Sequence, residues 1–300
     1  GPVRSLRERL AALQPSPARP ARPRPAGVPI DAVVPGRYLP GPVGEVFVAE
    51  RAREEDDVRR LLEHAALAPS LFVPGAPTVH PEEIVFLDTE TTGLAGGAGT
   101  HVFLVGLGHF EAGRLVVRQF FMRGPSEEPA LLDALREALA PFRMLVSFNG
   151  RAFDWPLIEG RFIIHGYRPR FDFAHLDILH PARRVWRHRL ASCTLSNLEA
   201  SLFGVRRSED VPGWLIPQMY FDYLRDGDAR RLRPVFAHNH EDIATLVRLT
   251  DLLIRATAAP ESVLDHPADR AGLALLLLNR GELMRGIDLL ADALEDADQI

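Results

Sequence analysis

Two carboxylates, Asp88 and Glu90, stand two residues apart directly after the apolar run Ile84-Val85-Phe86-Leu87. Strand side chains alternate with period two, so both acids share one face at the strand end. Among 40 Asp and Glu in 300 residues an acid-x-acid triplet arises often by chance. This one gains weight from its place between a hydrophobic strand and the turn Thr91-Thr92-Gly93-Leu94, where like charges repel unless a cation holds them. Asp154 follows Phe148-Asn149-Gly150-Arg151-Ala152-Phe153, and Pro156 sits in the first turn of the helix it opens, so Asp154 either caps that helix or faces the strand ends. Asp242 comes four residues after His238 on a helix whose buried face carries Ile243, Leu246, Val247 and Leu253, which leaves the His–Asp pair on a separate face. Alone, a pair at that spacing is common on helix surfaces.

The surrounding pattern is α/β. After the first strand, residues 101–110 and 114–122 are β-rich runs joined by Glu111-Ala112-Gly113, a hairpin, so the sheet starts antiparallel. Residues 126–140 read as a helix with Ser126 as its cap, 144–148 as a short strand, and 154–165 as another helix. Such a mixed sheet puts its site where strand ends converge at the switch point. Residues 4–13 carry leucines at helical spacing, and 15–29 interleave proline with Arg19, Arg22 and Arg24, a composition favouring extended basic chain. Residues 30–80, with a charged helix expected over 50–66, read as an extension packed on the main domain.

Composition narrows the chemistry. The chain contains no lysine, which removes Schiff-base catalysis and a P-loop lysine. Its single cysteine, Cys193, excludes an internal disulfide and a thiolate zinc site. The net charge of −5 hides clustered arginines, so a nucleic-acid partner is compatible with overall acidity. No signal peptide and no bilayer-length apolar run is present, which leads us to expect a cytoplasmic protein without a membrane partner.

Taken together the motifs resemble the DnaQ-like exonucleases of the ribonuclease H-like fold, whose four metal-binding acids fall in three motifs. The matching residues are Asp88 and Glu90, then Asp154, then Asp242. A closer resemblance is to the bacterial YprB family, ribonuclease H-like proteins with C-terminal tetratricopeptide repeats. It is carried by Gly96-Gly97-Ala98-Gly99-Thr100, the 147–156 stretch, His180-Pro181-Ala182-Arg183-Arg184-Val185-Trp186 and His238-Asn239-His240-Glu241-Asp242, and covers roughly residues 30–256. The resemblance implies an α/β fold, a ribonuclease H-like mixed five-stranded sheet flanked by helices, with a C-terminal helical repeat segment. The expected divisions are a disordered basic segment over 1–29, the extension over 30–80, the exonuclease domain over 81–257 and a repeat over 261–300. That repeat is either a cap on the nuclease or, the reading favoured here, the start of an array continuing past residue 300, with Gly281 at its turn and Gly286, Leu290 and Ala293 at small and apolar positions.

The histidine branch of DnaQ-like enzymes places its histidine five residues before the last aspartate, and the tyrosine branch its tyrosine four before. This chain has a histidine at the tyrosine spacing, which makes His238 the expected base, with His240 as the alternative. Four carboxylates without cysteine suit hard cations, so the expected cofactors are two Mg²⁺ or Mn²⁺ ions per site. Two such ions roughly 3.5–4 Å apart can activate water and stabilise both the phosphoryl and leaving oxygens. Asp88 would bridge both, Glu90 and Asp242 would hold the water-activating ion, and Asp154 would close the site from the opposite wall. Thr91, Thr92, Gly93 and Leu94 are expected against the terminal nucleotide, with Leu94 wedging a base. Asn149, Phe153, Arg183 and Arg184 are further substrate-contact candidates, the arginines forming a basic patch with Arg187 and Arg189 around Trp186 and His188. Asp177 is expected to support the site without being a ligand. The function implied is a metal-dependent 3′–5′ exonuclease on DNA in bacterial repair, meeting a helicase or another repair protein through its repeat. The alternatives are an RNA-processing exonuclease or a nucleic-acid-binding adaptor.

Overall fold

The computed structural model describes residues 27–64, 71–93, 99–207 and 210–297. Seven strands form one sheet: β1 (Arg37–Gly41), β2 (Gly44–Arg53), β3 (Ile84–Thr91), β4 (Val102–Glu111), β5 (Arg114–Phe121), β6 (Met144–Ser147) and β7 (Ala174–Asp177), in the order β1-β2-β5-β4-β3-β6-β7. The β3–β6 and β6–β7 pairs are parallel and the rest antiparallel. β3 therefore lies where antiparallel and parallel halves meet, and its buried run Ile84 to Leu87 suits a strand covered on both faces. Among the described residues, eight helices of eight or more residues cover or flank the sheet: α1 (Glu128–Leu139), α2 (Asp154–Ile164), α3 (Leu179–Trp186), α4 (Leu195–Phe203), α5 (Ile216–Asp226), α6 (Arg233–Ala258), α7 (Pro267–Asn279) and α8 (Leu283–Ala297).

Two apolar cores lie on opposite faces. One joins Val85, Leu87, Phe103 and Phe121 to Leu131, Leu135, Ile158 and Tyr220 of α1, α2 and α5. The other joins Ile84, Phe86, Val117 and Val146 to Val185 and Trp186 of α3, Leu198 of α4, Ile243 and Val247 of α6, and Leu273 and Leu277 of α7. The C-terminal hairpin α7–α8 thus shares a core with the sheet. Gly281, at φ +84°, makes its turn, and Gly286 lies where a Cβ would meet Leu278 Cγ at 2.6 Å.

β3 to β7 supply the five expected strands, and the β1–β2 hairpin lengthens the same sheet past β5. The charged helix expected from residue 50 gives way to strand as far as Arg53, because β2 pairs with β5 from Phe47↔Phe121 to Arg53↔Leu115. Only one α-turn, Asp56–Arg59, follows. Ser126 caps nothing: α1 starts at Glu128 after the 3-10 turn Pro125–Glu127, without a side-chain cap. The ends of the 111–114 hairpin pair directly, with Ala112 at φ 49° and Gly113 at φ 75°, the left-handed geometry of a two-residue turn. Of the proline-rich basic segment only residues 27–29 are described; there Val28 O accepts from Ala229 N at 2.9 Å. The leucine-spaced stretch 4–13 lies outside the described residues. No described helix is long and apolar enough to cross a membrane.

Candidate active site

The sheet and α6 meet through two missing side chains. A Cβ on Gly106 of β4 would lie 2.3 Å from Asn239 Oδ1, and one on Gly108 would lie 2.3 Å from Ile243 Cγ2. Glycine at both positions, two apart on the strand, receives residues four apart on the helix. Asn239 is fully buried, and its Nδ2 donates to Asp88 Oδ2 at 2.8 Å while Gln119 Nε2 donates to its Oδ1 at 2.8 Å. The register between β3 and β4 shifts between Glu90 and Thr91, a bulge at the point where the chain leaves the sheet. Asp242, one helical step beyond Asn239, reaches the same end of β3.

Electrostatics tie the acids together. The Asp88 and Glu90 carboxyls are held well above the usual carboxylate range, chiefly by burial and then by the charge of Asp242. Glu90 and Asp154 push Asp88 further up, against the amide of Asn239, and Asp154 and Asp210 do the same to Glu90. Asp242 is raised by burial, with the charges of His238 and Arg207 opposing and Asp210 adding. Asp154 opens α2 and is raised by burial, opposed by a hydrogen bond from the Thr89 hydroxyl. That bond ties Asp154 to β3 at the residue between Asp88 and Glu90. Its helix is pinned by Glu128, which accepts from Arg161 Nε at 2.6 Å and lies 2.6 Å from His165 Nε2.

Buried acids that raise one another's pKa call for added positive charge. Arg207 supplies some: its Nη2 lies 2.7 Å from Asp242 Oδ1 and its Nε donates to Glu199 Oε2 at 2.7 Å. Among the described residues no group of three or more His, Cys, Asp and Glu side chains is preassembled around one ion position. The donor set nevertheless fits a hard divalent cation, being oxygen-only and rich in carboxylate, with a guanidinium standing in at Asp242. Arg207 must turn aside for that oxygen to serve as a ligand.

His238 and His240 point to different places. His238 Nδ1 lies 2.6 Å from Asp210 Oδ1 and its Nε2 lies 3.4 Å from Asp242 Oδ2. With Nδ1–H donating to Asp210, the Nε2 lone pair is left toward the acids. His240 is buried, with Nδ1 3.4 Å from Arg53 Nη1 and 3.6 Å from Glu241 Oε1. Reasoning from sequence missed Asp210, Arg207, Asn239, Gln119 and Thr89. Each acts through an approach between segments distant along the chain, which no local spacing signals.

The expected substrate contacts divide. Thr91 Oγ1 donates to Gly93 O at 2.9 Å and Thr92 Oγ1 accepts from His101 N at 2.9 Å, so both hydroxyls brace the turn itself. Leu94, Gly96 and Gly97 lie outside the described residues. Asn149 adopts φ +63° and its N–H donates to Asp177 Oδ1 at 2.7 Å, so Asp177 supports the turn that carries Asp154. Phe153 is 57% exposed, whereas Trp155 packs on Phe171 and Phe173 at 5.3 and 5.0 Å. Arg183 and Arg184 are exposed on α3. Trp186 does not belong to the basic patch: with Ala182 and Val185 it faces the core and is fully buried. Arg189 leaves the patch as well, because its Nη2 pairs with Asp269 Oδ2 at 2.7 Å.

A family model described as the RNase H superfamily matches residues 85–254, from β3 into the last turn of α6. The chain belongs to the RNase H superfamily. Its fold is therefore of a nuclease type. The chain is also similar to "Uncharacterized protein YprB" of Bacillus subtilis (strain 168), 35% identical over 198 residues, covering 65% of this chain and 47% of that protein. It thus spans about half the length of that relative. The family B DNA polymerase of the hyperthermophilic archaeon Pyrobaculum calidifontis aligns over 80% of this chain and 34% of its own, with a TM-score of 0.46 and 17% identity.

Proposed function

We propose that this chain is a metal-dependent exonuclease that removes nucleotides from the 3′ ends of DNA. The observation that carries the reading is the convergence, at one strand end, of acids from three elements with His238, whose ring is oriented by Asp210. Asp88, Glu90, Asp154 and Asp242 would hold two Mg²⁺ or Mn²⁺ ions, which when bound supply a nucleophilic water and neutralise charge on the phosphoryl and leaving oxygens. His238 takes the proton of that water at Nε2, and Asp210 stabilises the resulting imidazolium through Nδ1. Asn239 holds Asp88 through Oδ2, which leaves Oδ1 to serve the site. Phe153, exposed on the turn leading into Asp154, offers a ring against which a terminal base can stack.

The test is a denaturing gel of single- and double-stranded DNA and RNA, labelled at the 5′ or the 3′ end, with Mg²⁺, Mn²⁺ or chelator. We expect a ladder on 5′-labelled DNA and immediate release of the label from 3′-labelled DNA, both abolished by chelator. Internal cuts, or a ladder that starts from the 5′ end, would overturn the reading.

A further inference from the structure

Beside the carboxylate site lies a cavity of ≈ 780 Å³ whose walls carry Arg151, Arg183, Arg184, Arg187, Asn279 and Arg280. Five segments build it: residues 72–73, the 149–154 turn, the end of β7, helix α3, and the C-terminal end of α7 with the residue after it. The turn is shared with the acid site, since Arg151 lines the cavity and Asp154 ends the turn. α7 is set firmly against α3. A Cβ on its Gly272 would lie 2.4 Å from Val185 O and 2.5 Å from Arg184 O, and the Arg189–Asp269 pair at 2.7 Å clamps the contact.

The charge of this cavity is unbalanced. All five arginines are exposed, and none is within salt-bridge reach of a carboxylate among the described residues. Arg280 Nη2 donates to Phe72 O at 3.1 Å and Arg187 Nε to His188 Nε2 at 3.2 Å, neutral contacts that leave the charges free. The acid in the wall, Asp177, is buried and accepts from the backbone N–H of Asn149, Arg151 and Leu179 at 2.7, 3.2 and 3.1 Å. Other arginines of the chain do find acids: Arg118 pairs with Glu50 at 2.8 Å, Arg230 with Asp228 at 2.6 Å and Arg231 with Asp226 at 2.6 Å. What sets the cavity apart is that five such guanidinium groups, without a carboxylate partner among the described residues, gather around one space in a chain of net charge −5.

We infer that this groove holds the phosphodiester backbone of the nucleic acid beyond its scissile end, with the C-terminal helical segment forming one wall through Asn279 and Arg280. The inference deepens the exonuclease reading, yet it stands on the groove alone. Guanidinium forks match phosphate oxygens in pairs, and the Asn279 amide adds a neutral donor. Trp186 is fully buried, so α3 offers the strand charge without an aromatic platform, and contact there is independent of sequence. A strand lying in the groove passes the 149–154 turn and exposed Phe153 before its end reaches Asp88 and Glu90.

The test is fluorescence anisotropy of a labelled 20-nucleotide single strand in chelator, where hydrolysis cannot occur, over a range of salt. For five phosphate contacts the log–log salt slope of the association constant should be about −3.5. R187E/R280E should weaken binding by at least about tenfold at low salt and make the slope shallower by about 1.4. R187Q/R280Q, which removes the charges but keeps a polar side chain, should do the same to a smaller degree, and thermal unfolding of each variant reports whether it folds. Unchanged affinity and slope in a folded variant would overturn the groove, as would displacement of the DNA by polyglutamate at equal charge concentration. The two readings fail separately. A protein that binds through the groove but cleaves nothing in Mn²⁺ refutes the exonuclease, whereas 3′ cleavage with binding undiminished in R187E/R280E refutes the groove.

Discussion

Gly106→Ala is the smallest change that should disturb the acid site without touching an acid. The new Cβ would lie 2.3 Å from Asn239 Oδ1 and 2.9 Å from both Cγ and Nδ2, so the amide must retreat by about 1 Å to reach ordinary contact. It has nowhere to rotate, because it is fully buried and bonded on both sides, to Gln119 at 2.8 Å and to Asp88 at 2.8 Å. Overpacking of this kind costs about 1–3 kcal/mol. Losing the neutral bond adds about 1 kcal/mol and losing the charge-assisted one about 1.5 kcal/mol or more. We therefore expect G106A to lose about 3.5–5.5 kcal/mol in urea unfolding at pH 7 in chelator. N239A removes the obstructing amide, so the same substitution made in that background should cost at least about 2 kcal/mol less, a coupling measured by the double-mutant cycle. A G106A loss under about 1 kcal/mol, or an equal loss in both backgrounds, would refute the argument that α6 is keyed to β4 through this contact.

Three further outcomes follow from the same geometry. D210N should lower kcat by about tenfold while leaving KM nearly unchanged, since Asp210 acts through His238, orienting its ring and stabilising its imidazolium, and loss of a base itself costs about 10²–10⁴; a wild-type kcat would contradict that role. Asp88 has a raised folded-state pKa, so its stabilising contribution is complete below the unfolded value and disappears as pH rises through the folded one. In chelator D88N should therefore gain on wild type as pH rises, and Mn²⁺ at 100 times its Kd should restore wild type by about 2.7 kcal/mol, both read from thermal melts. Burial, aided by Arg151 and opposed by Asp177, depresses His175 to about 4. The unfolded chain takes up this proton near pH 6.5 and the folded chain only near 4, so up to about 3 kcal/mol should be lost across that window. The loss should shrink in H175Q, and an identical pH dependence in both proteins would exclude His175 as its source.

What the sequence made legible was what is local. Asp88 and Glu90 follow from strand periodicity, Pro156 sets the start of α2 beside Asp154, and the buried stripe from Ile243 to Leu253 places Asp242 on a helix. The 111–114 hairpin was legible for the same reason. Helix propensity misled over 50–66, because the charged residues Glu50 to Arg53 sit on a strand whose pairing with β5 outweighs their local preference. Trp186 misled in the opposite sense: its arginine neighbours suggested an exposed patch, but Val185 and Trp186, three and four residues after Ala182, could have signalled a core face. Asp210, Arg207 and Asn239 had no local signal. Their roles arise only when Arg207, Asp210 and α6 meet at the end of β3, and the glycines that let α6 approach, Gly106 and Gly108, are indistinguishable in sequence from ordinary weak points in a strand.

The central claim is that Asp88, Glu90, Asp154 and Asp242 form one centre for divalent cations in spite of Arg207 standing at Asp242. Calorimetric titration of Mn²⁺ into the chelator-stripped protein and into D242N tests it most directly. The account predicts two bound ions in the wild type and loss of at least one in D242N, with proton release in the wild type because raised carboxyls must ionise to bind. Absence of Mn²⁺ binding in the wild type, or the same stoichiometry and affinity in D242N, would contradict it.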